Sequence, residues 1–175
     1  TAMGGTTTAS GDYSTAMGYS TTASGYRSTA MGQSTTASGT RSTAMGQSTT
    51  ASGSRSTAMG RNTTASDYAS TVIGQYNSSG SSVTNNATSF NTANTAFVIG
   101  NGTNSSNKSD AFKVMFNGDT TVSNDLTVSG DVVISSDARL KSNIVSLGST
   151  LPKLLQIDGK SYEMKGKQKI GVLAQ

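Results

Sequence analysis

A strict 14-residue repeat fills the first half of this chain. The string TAMG begins at residues 1, 15, 29, 43 and 57, and TVIG follows at residue 71. The intervening string TASG keeps the same step at residues 8, 22, 36 and 50, with TASD at residue 64. A short fixed period indicates that each repeat is one structural unit that stacks on the next, so it constrains the fold more than any local propensity does.

Glycine recurs at two positions of the repeat, at 4/18/32/46/60/74 and at 11/25/39/53, which predicts two short segments for each turn. The sequence therefore predicts an all-β, parallel β-solenoid whose coils stack at the spacing of hydrogen-bonded strands, ~4.8 Å. Alternation along STAMG places Thr and Met on one face and Ser and Ala on the other. We expect the larger side chains, the column from Met3 to Met59 continued by Ile73, to fill the interior.

Small side chains bury little apolar area, so a single solenoid of this composition gains little stability from its core. Self-association would bury additional apolar area and so supply the missing stability. We therefore predict a homotrimer in which three copies pack their Ala-rich faces about a common axis.

The string TASGxxSTAMG resembles the head repeat of YadA-like trimeric adhesins, whose consensus is close to AxAxGxxSxAxG. The resemblance covers about residues 1–80, and AFVIG at 96–100 is similar to an outlying copy. It implies a left-handed parallel β-roll that assembles as a homotrimer.

Residues at one position of successive coils stack, so Arg27, Arg41 and Arg55 are predicted to form a basic ladder, flanked by Tyr13 and Ala69. One interpretation is that the ladder faces a ligand and attracts acidic glycans or other polyanions. The other is a solvated turn column that keeps a fibre soluble.

Residues 81–107 are rich in Asn, Ser and Gly, which predicts a loop-rich segment that is either a binding tip or a transition in the fibre. Its expected core anchors are Phe90 and the run Phe97, Val98 and Ile99.

Residues 108–135 are predicted to form an intertwined, trimeric β-stem, because apolar and polar residues alternate between NGD and SGD turns. Phe112, Val114 and Phe116 share one predicted face, and Leu126 and Val128 share another. The segment resembles the stem before the chaperone domain of phage tail fibres.

The string SDARLKSNI at 136–144 resembles the opening of the self-cleaving intramolecular chaperone of phage endosialidase tailspikes. Residues 136–175 are similar to its N-terminal part, so the chaperone segment is truncated, and IGVLAQ at 170–175 resembles its next strand. The resemblance implies that Ser136 is the nucleophile and Lys141 the base of an autocleavage at the bond Ser135–Ser136. No activity is expected in the mature fibre.

Composition excludes most other chemistry. The chain has no Cys and no His, which removes thiol nucleophiles, disulfides and most zinc, haem and iron–sulfur sites, and no cofactor or metal is predicted. No apolar run is long enough to span a bilayer, and no nucleic-acid partner is indicated. The formal charge of +4 arises mainly after residue 136.

Together these features predict a homotrimeric fibre for adhesion or receptor binding to a glycan or protein, extracellular on a bacterial surface, and assembled by a C-terminal chaperone. One alternative is a phage tail fibre or tailspike on the virion tail that binds a receptor or degrades a glycan. Glycan degradation requires paired carboxylates, and residues 1–135 contain six scattered Asp and no Glu. Another is a purely structural fibre spacer.

Overall fold

A computed structural model describes residues 1–129, 160–164 and 167–171 of the chain. The described residues divide into two units, separated between Thr127 and Val128. Their secondary structure consists of β-strands joined by turns. The strands are β1 (Ala2–Gly5), β2 (Thr8–Ala9), β3 (Thr15–Tyr19), β4 (Thr22–Ala23), β5 (Thr29–Gln33), β6 (Thr36–Ala37), β7 (Thr43–Gln47), β8 (Thr50–Ala51), β9 (Thr57–Arg61), β10 (Thr64–Ala65), β11 (Thr71–Gln75), β12 (Thr95–Asn101), β13 (Asp110–Met115), β14 (Thr120–Val122), β15 (Lys160–Met164) and β16 (Lys167–Gly171).

The first unit is a parallel β-solenoid, which confirms the predicted fold class. Its long sheet has nine strands in the order β1-β3-β5-β7-β9-β11-β12-β13-β14, and its short sheet has five in the order β10-β8-β6-β4-β2. Equivalent residues of successive repeats pair in register, as Met17 does with Met31 and Met31 with Met45. Each coil thus contributes one long and one short strand, as the paired glycines predicted.

The interior contains only small side chains, so the prediction that methionine fills it is wrong. The fully buried apolar residues are Ala16, Ala23, Ala30, Ala37, Ala44, Ala51, Ala58, Ala65, Val72 and Val98. Met17 and Met31 are half-buried on the opposite face of their strands, and Met3 is 57% exposed. The bore between the two sheets has room for Ala, Ser and Thr but not for a column of methionines.

The same observation corrects the predicted trimer contact, because the Ala-rich face is already buried inside each solenoid. The outward surface of the long sheet, here called the Thr/Met face, carries the threonine and methionine columns instead. It includes Thr29 and Met31 and their equivalents in the other coils.

AFVIG stacks on the solenoid as a further long strand. Ile73 pairs with Ile99, 26 residues later instead of 14, so the intervening loop adds 12 residues to this turn. Val98 is fully buried in the alanine column, while Phe97 and Ile99 are half-buried on the Thr/Met face. Phe90 is 61% exposed, so its predicted role as a core anchor is wrong.

The inserted loop closes the end of the short sheet through polar side chains. The Asn77 carboxamide accepts a hydrogen bond from Thr64 N (2.8 Å) and donates to Thr64 O (2.9 Å), and so replaces the strand that would follow β10. The fully buried Asp67 accepts hydrogen bonds from Thr84 N (2.6 Å), Thr95 N (2.8 Å) and the Thr95 hydroxyl. Asp67 stands where earlier repeats have Gly, so one substitution converts a repeat into an anchor for the loop.

An antiparallel hairpin, β13 and β14, ends the long sheet. Phe112 pairs with Ile99 and Val114 with Phe97, which extends the Thr/Met face with larger apolar side chains. Leu126 and Val128 lie outside the strands and are 71% and 45% exposed.

Candidate functional site

The three arginines of the predicted ladder lie in one column at a turn edge of the solenoid. Their backbone N–H groups donate to the preceding coil, from Arg27 N to Asp12 O (2.8 Å), from Arg41 N to Tyr26 O (2.7 Å) and from Arg55 N to Thr40 O (2.8 Å). All three side chains are exposed. The ladder is therefore a direct product of the in-register stacking.

Tyrosine rings join this column, which the sequence prediction missed apart from Tyr13. We call the combined surface the arginine–tyrosine stripe, and it consists of Tyr13, Tyr26, Arg27, Arg41, Arg55 and Tyr68. The available signal was the repeat itself, since residues 13 or 14 positions apart become neighbours on adjacent coils.

The guanidinium groups lie against tyrosine faces at one end of the stripe. The Cζ atom of Arg27 is 5.5 Å from the centre of the Tyr13 ring and 4.9 Å from that of Tyr26, and Arg41 Cζ is 5.9 Å from the Tyr26 ring. The two rings meet edge to face with centres 5.8 Å apart. Each such cation–π contact contributes about 0.5–1 kcal/mol at an exposed site, so the side chains hold one another in place.

The other end of the stripe is fixed by a hydrogen bond as well. Arg55 Cζ is 5.2 Å from the Tyr68 ring centre, and Arg55 Nη1 donates to the Tyr68 hydroxyl at 2.7 Å. The result is a linear surface of three successive arginines with tyrosine rings at both ends, which suits anionic polymers with flat apolar sugar faces.

The backbone conformation of the arginine column does not account for arginine there. Arg27, Arg41 and Arg55 have left-handed φ angles of 54°, 59° and 61°, a region that favours Gly and Asn. The opposite turn edge has the same conformation but carries short side chains at most rungs, for example Ser34 (φ 56°) and Ser48 (φ 54°). The backbone conformation thus does not explain why arginine occupies three successive rungs.

The proposed autocleavage residues, Ser136 and Lys141, lie outside the described residues, as does the bond Ser135–Ser136. In the second unit, β15 and β16 pair antiparallel, with Lys160 opposite Gly171 and Met164 opposite Lys167. The first two residues of IGVLAQ, Ile170 and Gly171, belong to β16. The remaining four residues are also outside the described part.

The described ranges offer neither a metal site nor a membrane-spanning helix. No group of three or more His, Cys, Asp or Glu side chains in that part of the chain is placed to hold a metal ion. Among the same residues there is no helix with the length and apolar character needed to cross a membrane.

Comparison with known families assigns the two ends of the chain. The model of the YadA head domain repeat (2 copies) matches residues 1–21, 23–49 and 51–77. The model of the chaperone of endosialidase matches residues 136–175. No curated protein and no solved structure gives a significant match. The N-terminal part of the chain is thus similar to YadA head repeats and its C-terminal part to the chaperone of endosialidase, as the sequence motifs indicated.

Proposed function

We propose that this chain is part of a homotrimeric adhesive fibre that is displayed on a bacterial surface and binds acidic glycans through the arginine–tyrosine stripe. The two matched families fit a trimeric adhesin or a phage fibre. The observation that carries the binding proposal is the stack of Arg27, Arg41 and Arg55 against tyrosine rings.

The Thr/Met face supports the trimer. Methionine side chains such as Met31 and Met45 are only half-buried in the single chain, and Phe97 and Phe112 continue the apolar surface with rings 6.2 Å apart. Because the repeat is strict, every copy presents the same apolar column at the same spacing. Three copies packed through this face would bury the apolar side chains that a single chain leaves in contact with water.

The stripe supports polyanion binding because its cations act together. Neighbouring rungs are separated by the strand spacing, ~4.8 Å, which is well within the ~8 Å screening length of physiological salt. An anionic chain along the stripe would therefore meet three mutually reinforcing positive charges, repeated in each protomer of a trimer.

Heparin, as a defined acidic polysaccharide, tests this proposal. The triple variant Arg27→Gln, Arg41→Gln, Arg55→Gln is expected to lose about tenfold or more in affinity, since each lost charge-assisted contact contributes about 1.5–3 kcal/mol when fully formed. Arg61→Gln is the matched control, because Arg61 also lies over a tyrosine, Tyr76 at 5.6 Å, but in the other turn column. Unchanged binding by the triple variant, or equal binding of neutral dextran, would count against the stripe.

Autocleavage by Ser136 and Lys141 is the second part of the proposal, and it rests on the chaperone match. Intact-mass measurement of protein with a complete chaperone domain is expected to give a fragment ending at Ser135, and Ser136→Ala is expected to abolish it. Cleavage that persists in the alanine variant would exclude Ser136 as the nucleophile.

A further inference from the structure

The long sheet continues past the end of the short sheet and leaves a polar cleft. The short sheet stops at β10, whereas the long sheet adds β11 to β14. Beside the last strands lies a cavity of about 430 Å³, here called the hairpin cleft. It is lined by Ser78, Asn101, Lys108, Ser109, Asp110, Lys113, Thr121, Ser123 and Asn124.

Strand alternation separates the hairpin cleft from the Thr/Met face. Lys113 and Thr121 are cross-strand partners, and both line the cleft. Their neighbours Phe112 and Val122 form the adjacent pair and point to the other side of the sheet. A trimer that forms through the Thr/Met face would therefore leave Lys113 and Thr121 accessible.

The charges of the cleft favour an anion. Asp110 is its one carboxylate, and both oxygens are already occupied, Oδ1 by Ser78 N and Oδ2 by Ser79 N, each at 2.8 Å. The ammonium groups of Lys108 and Lys113 outnumber that single negative charge. With two ammonium groups against one carboxylate the lining is net positive, so an incoming carboxylate would find two cationic donors.

The remaining lining groups match the hydroxyls of a sugar. The Ser78 and Thr121 hydroxyls and the Asn124 amide both donate and accept hydrogen bonds. The Ser109 hydroxyl already donates to Asn101 Oδ1 (2.7 Å) and the Ser123 hydroxyl to the Asp110 carbonyl, so these two hydroxyls are left to accept. The cavity volume lies within the ~300–1,000 Å³ typical of small-molecule sites. A polar lining with two cations is unsuited to an apolar ligand and suited to a hydrated, singly charged one.

We propose that the hairpin cleft binds a single acidic sugar of the uronic acid class, with its carboxylate at Lys108 and Lys113 and its hydroxyls on the Ser, Thr and Asn groups. The site is independent of the adhesive function proposed above, because it shares no residue with the arginine–tyrosine stripe. The stripe is an open, linear surface for a polymer, whereas the cleft is a concave site for one residue of a saccharide.

Nuclear magnetic resonance titration of the whole 175-residue chain with glucuronate, glucose and acetate tests the proposal. Glucuronate is expected to shift the resonances of cleft residues with a dissociation constant on the order of 1 mM or tighter. Glucose, which lacks the carboxylate, and acetate, which lacks the hydroxyls, are expected to bind at least about tenfold more weakly.

Single-residue variants test whether glucuronate binds in the hairpin cleft. Lys113→Met and Lys108→Met each remove one charge and are expected to weaken glucuronate binding about tenfold. Arg61→Met, which removes an exposed charge outside both the cleft and the stripe, is expected to leave it unchanged. No glucuronate shifts, equal binding of glucose or acetate, or an equal loss in Arg61→Met would overturn the cleft assignment. Because these readouts use no polysaccharide, they stand whether or not heparin binds the stripe.

Discussion

At the scale of single residues, the solenoid depends on glycines that let one coil approach the next. A Cβ atom built at Gly32 would lie 2.0 Å from the carbonyl oxygen of Gly46, and the φ angle of Gly32 is 121°. Both the contact and the backbone conformation exclude a side chain. Equivalent contacts recur from Gly4 to Gly74, so each of these coils requires glycine at this position.

Gly32→Ala is therefore expected to destabilise the protein strongly. Backbone strain contributes about 1–3 kcal/mol and displacement of the neighbouring coil a further 1–3 kcal/mol or so. Gly118→Ala is the matched control, because Gly118 has a φ of 93° but nothing within 4 Å of a built Cβ. Thermal unfolding should show a clearly larger fall in midpoint for Gly32→Ala, and equal falls would mean that the coil contact is unimportant.

At the scale of elements, side chains that imitate peptide groups end the short sheet. Asn77 is 1% exposed and makes three hydrogen bonds, two with Thr64 and one from Nδ2 to Ser79 O at 2.8 Å. Asn94 repeats the arrangement with Asn86, accepting from its N–H at 2.8 Å and donating to its carbonyl. The Asn77 contacts satisfy backbone groups of β10 that an open strand edge would leave unpaired, and the Asn94 contacts do the same for a residue of the loop.

Asn77→Ala is expected to lower the free energy of unfolding by about 2–3 kcal/mol, at about 1 kcal/mol for each hydrogen bond lost. Its specific signature is faster hydrogen exchange at Thr64 N–H, the donor to Asn77 Oδ1. Asn85→Ala, in the same loop but exposed, provides the comparison. If Thr64 keeps its protection in Asn77→Ala, the amide does not cap the sheet.

At the scale of the whole molecule, the oligomeric state determines whether the Thr/Met face is buried or exposed to water. A charge placed on this face is expected to prevent assembly, because threefold symmetry would bring three like charges together in a desolvated contact. Met45→Glu tests this, and Gln47→Glu, two residues further on at the exposed turn edge, is the control.

Light scattering should then give a trimer for the unmodified chain and for Gln47→Glu, and a monomer for Met45→Glu. A monomeric unmodified chain would contradict the homotrimer, and a trimeric Met45→Glu would place the contact on another face.

The sequence alone is enough to predict the repeat unit, the parallel stacking, the two strands in each coil and the arginine column, because all of these follow from a fixed period and in-register pairing. It did not determine which face of the strand lies inside. Alternation places Thr and Met on one face and Ser and Ala on the other, whichever face is buried. Because methionine is the larger apolar side chain, it was expected inside.

The buried face follows from the packing of the two sheets, because the narrow bore between them admits Ala, Ser and Thr and leaves methionine outside. The tyrosine contacts of the stripe, the capping by Asp67 and Asn77, and the hairpin cleft likewise depend on residues from different coils or on an aperiodic loop. A repeat predicts where identical residues stack, but the space left between and beyond the stacks is set by how the strands pack.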